Sequence, residues 1–289
     1  MNRKLQQSMR IPCGFTLIEV LVVIGIIALL TGLLMPGIGM VRKSTAATKS
    51  QSNLKQWGTG TIMWSNVNND RLPWEGLKDA NDMPLNLAQK AYWANAIPPM
   101  VGQLPYSKIS DDAYNAQTNV PFAGSSDSIF IDPGATTEDS GPWGSGQPGS
   151  GGLQRQFYFN YVPNSQLNNT LLERSGQAQY SPKLAMKLSS IARADATILM
   201  LEMRSNRREL PGSDVHFGRD LKRHRADWKR FAARHFDGGH MLFADGHVAW
   251  VLNSEATRNS QGSRDPNFAG GDWNTNKLVW DPMGPATDE

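Results

Sequence analysis

Apolar and polar positions divide this chain near residue 41. From Phe15 to Val41 the only charged side chain is Glu19. About 20 apolar residues suffice to cross a ~30 Å hydrocarbon core as a helix. Residues 15–37 are therefore expected to span a membrane. A carboxylate inside such a segment costs roughly 2.5–3.5 kcal/mol or more and normally has a partner, so Glu19 calls for an explanation. Past the apolar run the pattern stays helical to about Trp64, with Leu54, Trp57 and Ile62 on one apolar stripe. Gly58 and Gly60 weaken it near its end, Pro36 is expected to kink or locally melt it, and residues 66–73 read as the exit loop.

The remainder, residues 65–289, reads as a head of mixed α+β class. Leu85 to Ile97 predicts a short helix stopped by Pro98-Pro99, and Ser128 to Asp132 a short strand. Glu138 to Gly152 is rich in Gly, Ser and Pro and predicts a surface loop. Phe157, Phe159 and Tyr161 alternate and predict one face of a strand over 156–162, and Thr197 to Glu202 predicts another strand. Between residues 234 and 252, Asp245-Gly246 separates two apolar runs. That dipeptide predicts a hairpin with a two-residue type I′ turn. The implied register pairs Ala244 with His247, Phe243 with Val248, Leu242 with Ala249, Met241 with Trp250 and His240 with Val251. Phe243, Val248, Met241 and Trp250 would then share the core-facing side.

Charge and composition narrow the picture. The 289-residue chain has a formal net charge of +3, but Arg3, Lys4 and Arg10, all ahead of the apolar run, account for it. The basic excess thus marks the cytoplasmic side of a membrane segment, and a nucleic-acid partner is not expected. Cys13 is the only cysteine, so the head holds no disulfide and must be stabilised by packing. Nine tryptophans and 27 glycines suggest a loop-rich head with aromatic anchors.

The junction Gly14-Phe15-Thr16-Leu17-Ile18-Glu19 fits neither of the commoner export signals. A secretory signal peptide has a shorter apolar region closed by a small-residue cleavage site, and a lipoprotein signal places its cysteine after the apolar stretch. The junction resembles the type IV prepilin signal: a basic leader ending in Gly, an aromatic residue, a Thr-Leu-Ile-Glu stretch and an apolar helix. The resemblance implies cleavage between Gly14 and Phe15 by a prepilin peptidase, which also methylates Phe15. It implies a leader at 1–14 and a helix at 15–64 that is half membrane-spanning and half packed on an antiparallel sheet. Glu19 would gain its partner from the α-amine of a neighbouring subunit, a cation with a pKa of about 7.7–8.0. Translation from Met9 instead of Met1 would give a leader of the commoner length and the same mature product.

His235, followed by nine residues and Asp245-Gly246, resembles the prepilin-type processing-associated H-X9-DG domain, with Gly238-Gly239 and Trp250 fitting as well. Many members carry a Cys-Pro pair in mid-head where this chain has Asp132-Pro133. His235, Asp237, His240, Asp245 and His247 would make a metal cluster only if they converged. In the expected register His240 and His247 share a face but lie on the order of 13 Å apart at ~3.3 Å per residue. No metal is expected, and His235 is assigned to hydrogen bonding that fixes the hairpin.

Residues 202–234 hold ten Lys and Arg against five acids. Lys222, Arg223 and Arg225 are the candidate anion-binding residues, for DNA or an acidic polysaccharide; a solvated face or subunit contact is the simpler reading. Asp272 to Asn276 opens like a calcium loop, then fails at Lys277 and Met283. Taken together, these features predict a non-enzymatic pilin-like or type II secretion pseudopilin-like filament subunit. It would sit in the inner membrane with its N terminus inside and its head in the periplasm. Its partners would be the prepilin peptidase and other pilin-like subunits. The alternative is a tethered minor subunit whose basic head binds DNA or anionic polysaccharide.

Overall fold

A computed structural model describes residues 16–78, 84–85, 87–125, 127–136, 156–167, 185–219, 221, 223–265, 267 and 272–283. The predicted leader and the predicted loop at 138–152 lie outside the described residues. Helix α1 runs from Leu17 to Val67. It continues without a break through Pro36, so the melting expected there does not occur. The chain divides into two compact units between Ser44 and Thr45.

In the first unit, the α1 side chains from Leu17 to Val41 are almost uniformly exposed, and the most apolar 18-residue stretch has a mean hydropathy of 2.8. An exposed apolar surface of that size is stable only against lipid or other apolar helices.

The second unit is the head, and α1 from Thr45 onward is part of its core. Ser50, Asn53, Leu54, Trp57, Thr61 and Ser65 form the buried stripe, while Ile62 is half-buried. Gly58 and Gly60 are close-approach points. A Cβ on Gly58 would lie 2.7 Å from Leu242 Cδ1, and one on Gly60 would lie 2.6 Å from Ile97 Cγ2. The glycines that weaken the helix signal are the positions where other chain segments press against the helix.

A four-stranded antiparallel sheet lies in the order β3–β4–β5–β6: β3 Tyr161–Pro163, β4 Ile198–Glu202, β5 Gly238–Phe243 and β6 Val248–Leu252. A two-stranded ribbon pairs β1 (Leu77–Lys78) with β2 (Pro84–Leu85). Short helices α2 (Trp93–Ala96), α3 (Tyr106–Asn115) and α4 (Asn253–Ala256) also belong to the head. The α+β class is thus a long apolar helix with an antiparallel sheet.

Four local expectations change. The helix expected over 85–97 shrinks to α2, because Leu85 belongs to β2 and turns precede Tyr92. Residues 128–132 form turns, with Ile131 N–H donating to Ser128 O, so no strand forms there. The strand expected from Gln156 begins only at Tyr161. Phe157, Tyr158, Phe159, Asn160 and Tyr161 are all buried, so alternation there does not separate an inside face from an outside one. The Phe157 and Phe159 rings instead join an aromatic cluster with Trp57, Trp93, Tyr106 and Phe130; Tyr106 and Phe159 lie 4.5 Å apart centre to centre.

The fourth change is the register of the β5–β6 hairpin. Leu242 pairs with Val248, Met241 with Ala249, His240 with Trp250 and Gly239 with Val251, one residue away from the expected pairing. Of the two central turn residues only Gly246 has positive φ, at 87°. Gly246 N–H donates to Phe243 O and Phe243 N–H to His247 O, which gives a three-residue loop with glycine in the left-handed position. A one-residue slip reverses faces along one strand. Phe243 and Met241 therefore share a side with His247 and Ala249, while Trp250 shares one with His240. The type I′ geometry occurs at the other end of β5: Phe236 and Asp237 both have positive φ, 55° and 62°, between the bridged pair His235 and Gly238.

Candidate functional site

Two places carry chemistry. The first is the start of α1. Thr16 and Glu19 form a reciprocal capping box: Thr16 N–H and Oγ1 each donate to Glu19 Oε2 at 2.8 Å, and Glu19 N–H donates to Thr16 Oγ1 at 3.3 Å. This arrangement satisfies donors that a helix start leaves unpaired. Glu19 therefore has a local role within one chain as well as any role between chains. Gly14 and Phe15 lie outside the described residues.

The second place is a buried polar centre in the head. Asp132 and Glu202 are fully buried, and His235 and His240 nearly so. Each comes from a different piece of chain: Asp132 from the turns at 128–135, Glu202 from the end of β4, His240 from within β5 and His235 from before the tight turn that leads into β5. Asp132 Oδ1 accepts from Gly134 N–H at 2.7 Å. Its Oδ2 lies 2.7 Å from Arg234 Nη1, 3.0 Å from His235 Nε2 and 3.2 Å from Ser50 Oγ. Glu202 Oε1 lies 2.8 Å from His240 Nδ1 and 3.7 Å from His235 Nε2, and also accepts from Ser50 Oγ. Tyr161 OH sits 2.8 Å from the same Ser50 oxygen. Arg234 is shared with Glu209, at 3.2 Å from its Nε.

The electrostatics follow from this packing. Burial disfavours the Asp132 carboxylate, but the Arg234 charge and the His235 hydrogen bond and charge outweigh it and hold its pKa well below the usual range. Burial likewise disfavours the His235 imidazolium; the Asp132 hydrogen bond and the charges of Glu202 and Asp132 outweigh it and raise its pKa. Ligand atoms of Glu202, His235 and His240 lie within 4.8 Å of one another. Among the described residues, these three are placed to hold a cation.

The ends of the H-X9-DG motif do not meet. His235 belongs to the polar centre, where its backbone carbonyl accepts from Trp250 Nε1 at 2.7 Å. Asp245 and Gly246 form the turn at the far end of β5, where Asp245 Oδ1 accepts from His247 N–H at 3.0 Å. His247 stacks on Phe243 with ring centres 4.4 Å apart and lies on the opposite face from His240. The expectation that His240 and His247 share a face is thereby overturned, and the histidine that approaches His240 is His235, with ring centres 5.4 Å apart.

Sequence reasoning missed Asp132 as a partner, Glu202, Arg234, Ser50 and Tyr161. The available signals were an acid closing the apolar strand Ile198–Leu201 and a serine and an asparagine on the buried stripe of α1. Of the candidate anion-binding residues, Lys222 lies outside the described residues, Arg223 is half-buried, and Arg225 lies 3.6 Å from buried Glu75. Arg204, in the same basic segment, is fully buried and donates to the carbonyls of His216 and Lys229 at 3.0 and 2.7 Å. At the candidate calcium loop, Asp272 Oδ1 accepts from Asn274 N–H, and Asn274 Oδ1 accepts from Trp280 and Asp281 N–H, closing a turn.

Compared with known proteins, the chain matches the family model of the prokaryotic N-terminal methylation motif over residues 9–35. No curated protein and no solved structure matches it. The matched stretch contains the Gly14–Glu19 junction and most of the apolar run. This motif is the mark of type IV pilin-like precursors, which a prepilin peptidase processes, and with the exposed apolar helix it indicates membrane anchoring.

Proposed function

We propose that the protein is a structural subunit of a type II secretion or type IV pilus-like filament, made as a precursor and matured at Gly14–Phe15. The observation that carries this reading is the N-terminal methylation motif at 9–35 on a helix whose apolar side chains are exposed among the described residues. Arg3, Lys4 and Arg10 would hold the leader in the cytoplasm, placing the head in the periplasm. After cleavage the Phe15 amine is a cation, and Glu19 would pair with the amine of a neighbouring subunit as apolar helices stack. The subunit acts as a substrate of processing and a building block, with no catalytic role of its own. A DNA- or polysaccharide-binding head is the lesser reading, because Arg225 already faces Glu75.

The test is intact-mass and N-terminal peptide mass spectrometry of the protein from its native membrane. N-methylated Phe15 is the expected terminus. A terminus at Met1 or Met9 would mean a permanent anchor. In parallel, Gly14→Leu should leave the precursor uncut, and normal maturation of that variant would overturn the cleavage assignment.

A further inference from the structure

The polar centre has a charge imbalance that hydrogen bonding leaves standing. Asp132, Glu202 and Glu209 bring three carboxyl groups together, against two guanidiniums: Arg234, paired with Asp132 and Glu209, and buried Arg204 near Glu209. Buried charges need compensation, because an uncompensated one costs several kcal/mol. Positive charge is still needed beside Glu202, whose ion-pair partners among the described residues are His235 and His240, and one divalent cation would supply it.

Three observations favour the cation. The first is convergence: Glu202 Oε1 lies 2.8 Å from His240 Nδ1 and 3.7 Å from His235 Nε2. Around a tetrahedral zinc, with bonds of ~2.0 Å, neighbouring ligand atoms sit roughly 3.3 Å apart, between the two observed values. Asp132 Oδ2, 3.0 Å from the same His235 nitrogen, supplies a fourth oxygen. The second is an orphan: Glu202 Oε2 is buried with no hydrogen-bond partner among the described residues, an expensive state for a carboxylate oxygen. The third is a support shell: Ser50 contacts both carboxylates, Tyr161 contacts Ser50, and Arg234 orients Asp132. Partners of this kind hold metal-binding carboxylates in place.

We propose that Glu202, His235 and His240, with Asp132 beside them, form a structural binding site for a first-row divalent metal of the zinc type. Two imidazole nitrogens with carboxylate oxygens suit zinc and its neighbours better than calcium or magnesium, which prefer all-oxygen sites. The four side chains join the end of β4, the entry turn of β5, β5 itself and the turn region around 132. In a head without cysteine, a metal there does the stapling that a disulfide does elsewhere, because binding energy to a site present only in the fold is folding energy.

The test uses the untagged full-length chain in detergent, stripped with a chelator and then titrated with Co²⁺ or Zn²⁺. The expected result is one equivalent of Co²⁺ with the intense visible bands of a tetrahedral site, displaced by Zn²⁺, and a rise in melting temperature on adding Zn²⁺. Glu202→Gln and His240→Asn should each weaken binding at least tenfold, while His247→Asn should not change it. A cooperatively melting wild-type chain that shows neither cobalt bands nor a zinc-dependent shift would overturn the site. So would folded Glu202→Gln and His240→Asn variants that bind like wild type. Should those variants fail to melt cooperatively, X-ray absorption of the zinc-loaded wild type decides: two imidazoles with oxygen ligands support the site, and any other ligand set overturns it.

Discussion

At the scale of single residues, the polar centre makes the stability of the head depend on pH in a way that can be separated group by group. His235 has a raised folded pKa. Its contribution is therefore complete below its unfolded value of about 6.5 and is lost as pH rises through the folded value. Asp132 has a lowered folded pKa, so its contribution is present above about 3.8 and is lost as pH falls toward the folded value. His216 works against His235. Burial holds it neutral with a pKa of about 4, so it stabilises the head above about 6.5 and loses that contribution as pH drops through 4. Whole-protein melting curves mix these effects, and the difference between wild type and His235→Asn isolates one. In chelated buffer that difference in melting temperature should be largest near pH 5 and shrink above pH 7. A pH-independent difference would mean that His235 does not exchange charge with Asp132 and Glu202.

Elements depend on where backbone approaches backbone. At Gly238, the first residue of β5, a Cβ would lie 2.3 Å from Val251 O and 2.6 Å from the Trp250 ring. Neither the carbonyl nor the hydrogen-bonded indole can yield cheaply, so Gly238→Ala should cost at least the ~1–3 kcal/mol typical of overpacking. Gly58→Ala meets only the end of a leucine side chain, and in mid-helix alanine regains roughly 1 kcal/mol of propensity. Gly58→Ala should therefore melt within a few degrees of wild type, and Gly238→Ala well below it, as measured by circular dichroism. Equal melting temperatures would contradict the packing of β5 against β6. This element was half legible. Asp245-Gly246 announces a hairpin, but the choice between a two- and a three-residue loop rests on φ at Asp245 and on the contacts of Ala244 and Asp245 N–H with Thr197 O and Ala194 O, which no local pattern encodes.

For the whole molecule the question is why Glu19 is kept in an apolar helix. The capping box accounts for it within one chain, and the proposed pairing with a neighbour's amine would account for it between chains. Glu19→Gln separates the two: glutamine serves a capping box as glutamate does but carries no charge. Both Glu19→Gln and Glu19→Ala should remain in the membrane fraction, since losing a carboxylate eases insertion, and both should fail to enter sheared filaments or cross-linked assemblies. Wild-type assembly by Glu19→Gln would show that the cap, and not the charge pair, is what the position requires.

The apolar first part of α1 and the methylation motif at 9–35 could be read from the chain alone. A membrane span depends on composition over ~20 residues, and a processing signal on a short contiguous string, so neither needs tertiary context. The α+β class and the strand at Ile198–Glu202 could be read for a similar reason, since a short apolar run is a local property. The polar centre could not. Ser50, Asp132, Glu202 and His235 are separated by up to 185 positions, and each looks ordinary among its sequence neighbours. Only the packing of α1 from Thr45 onward, β4 and the entry turn of β5 around one another brings them within hydrogen-bond distance. The same holds for the hairpin register: one residue of slip decides whether His247 shares a face with His240, and that residue is set by contacts made across the fold.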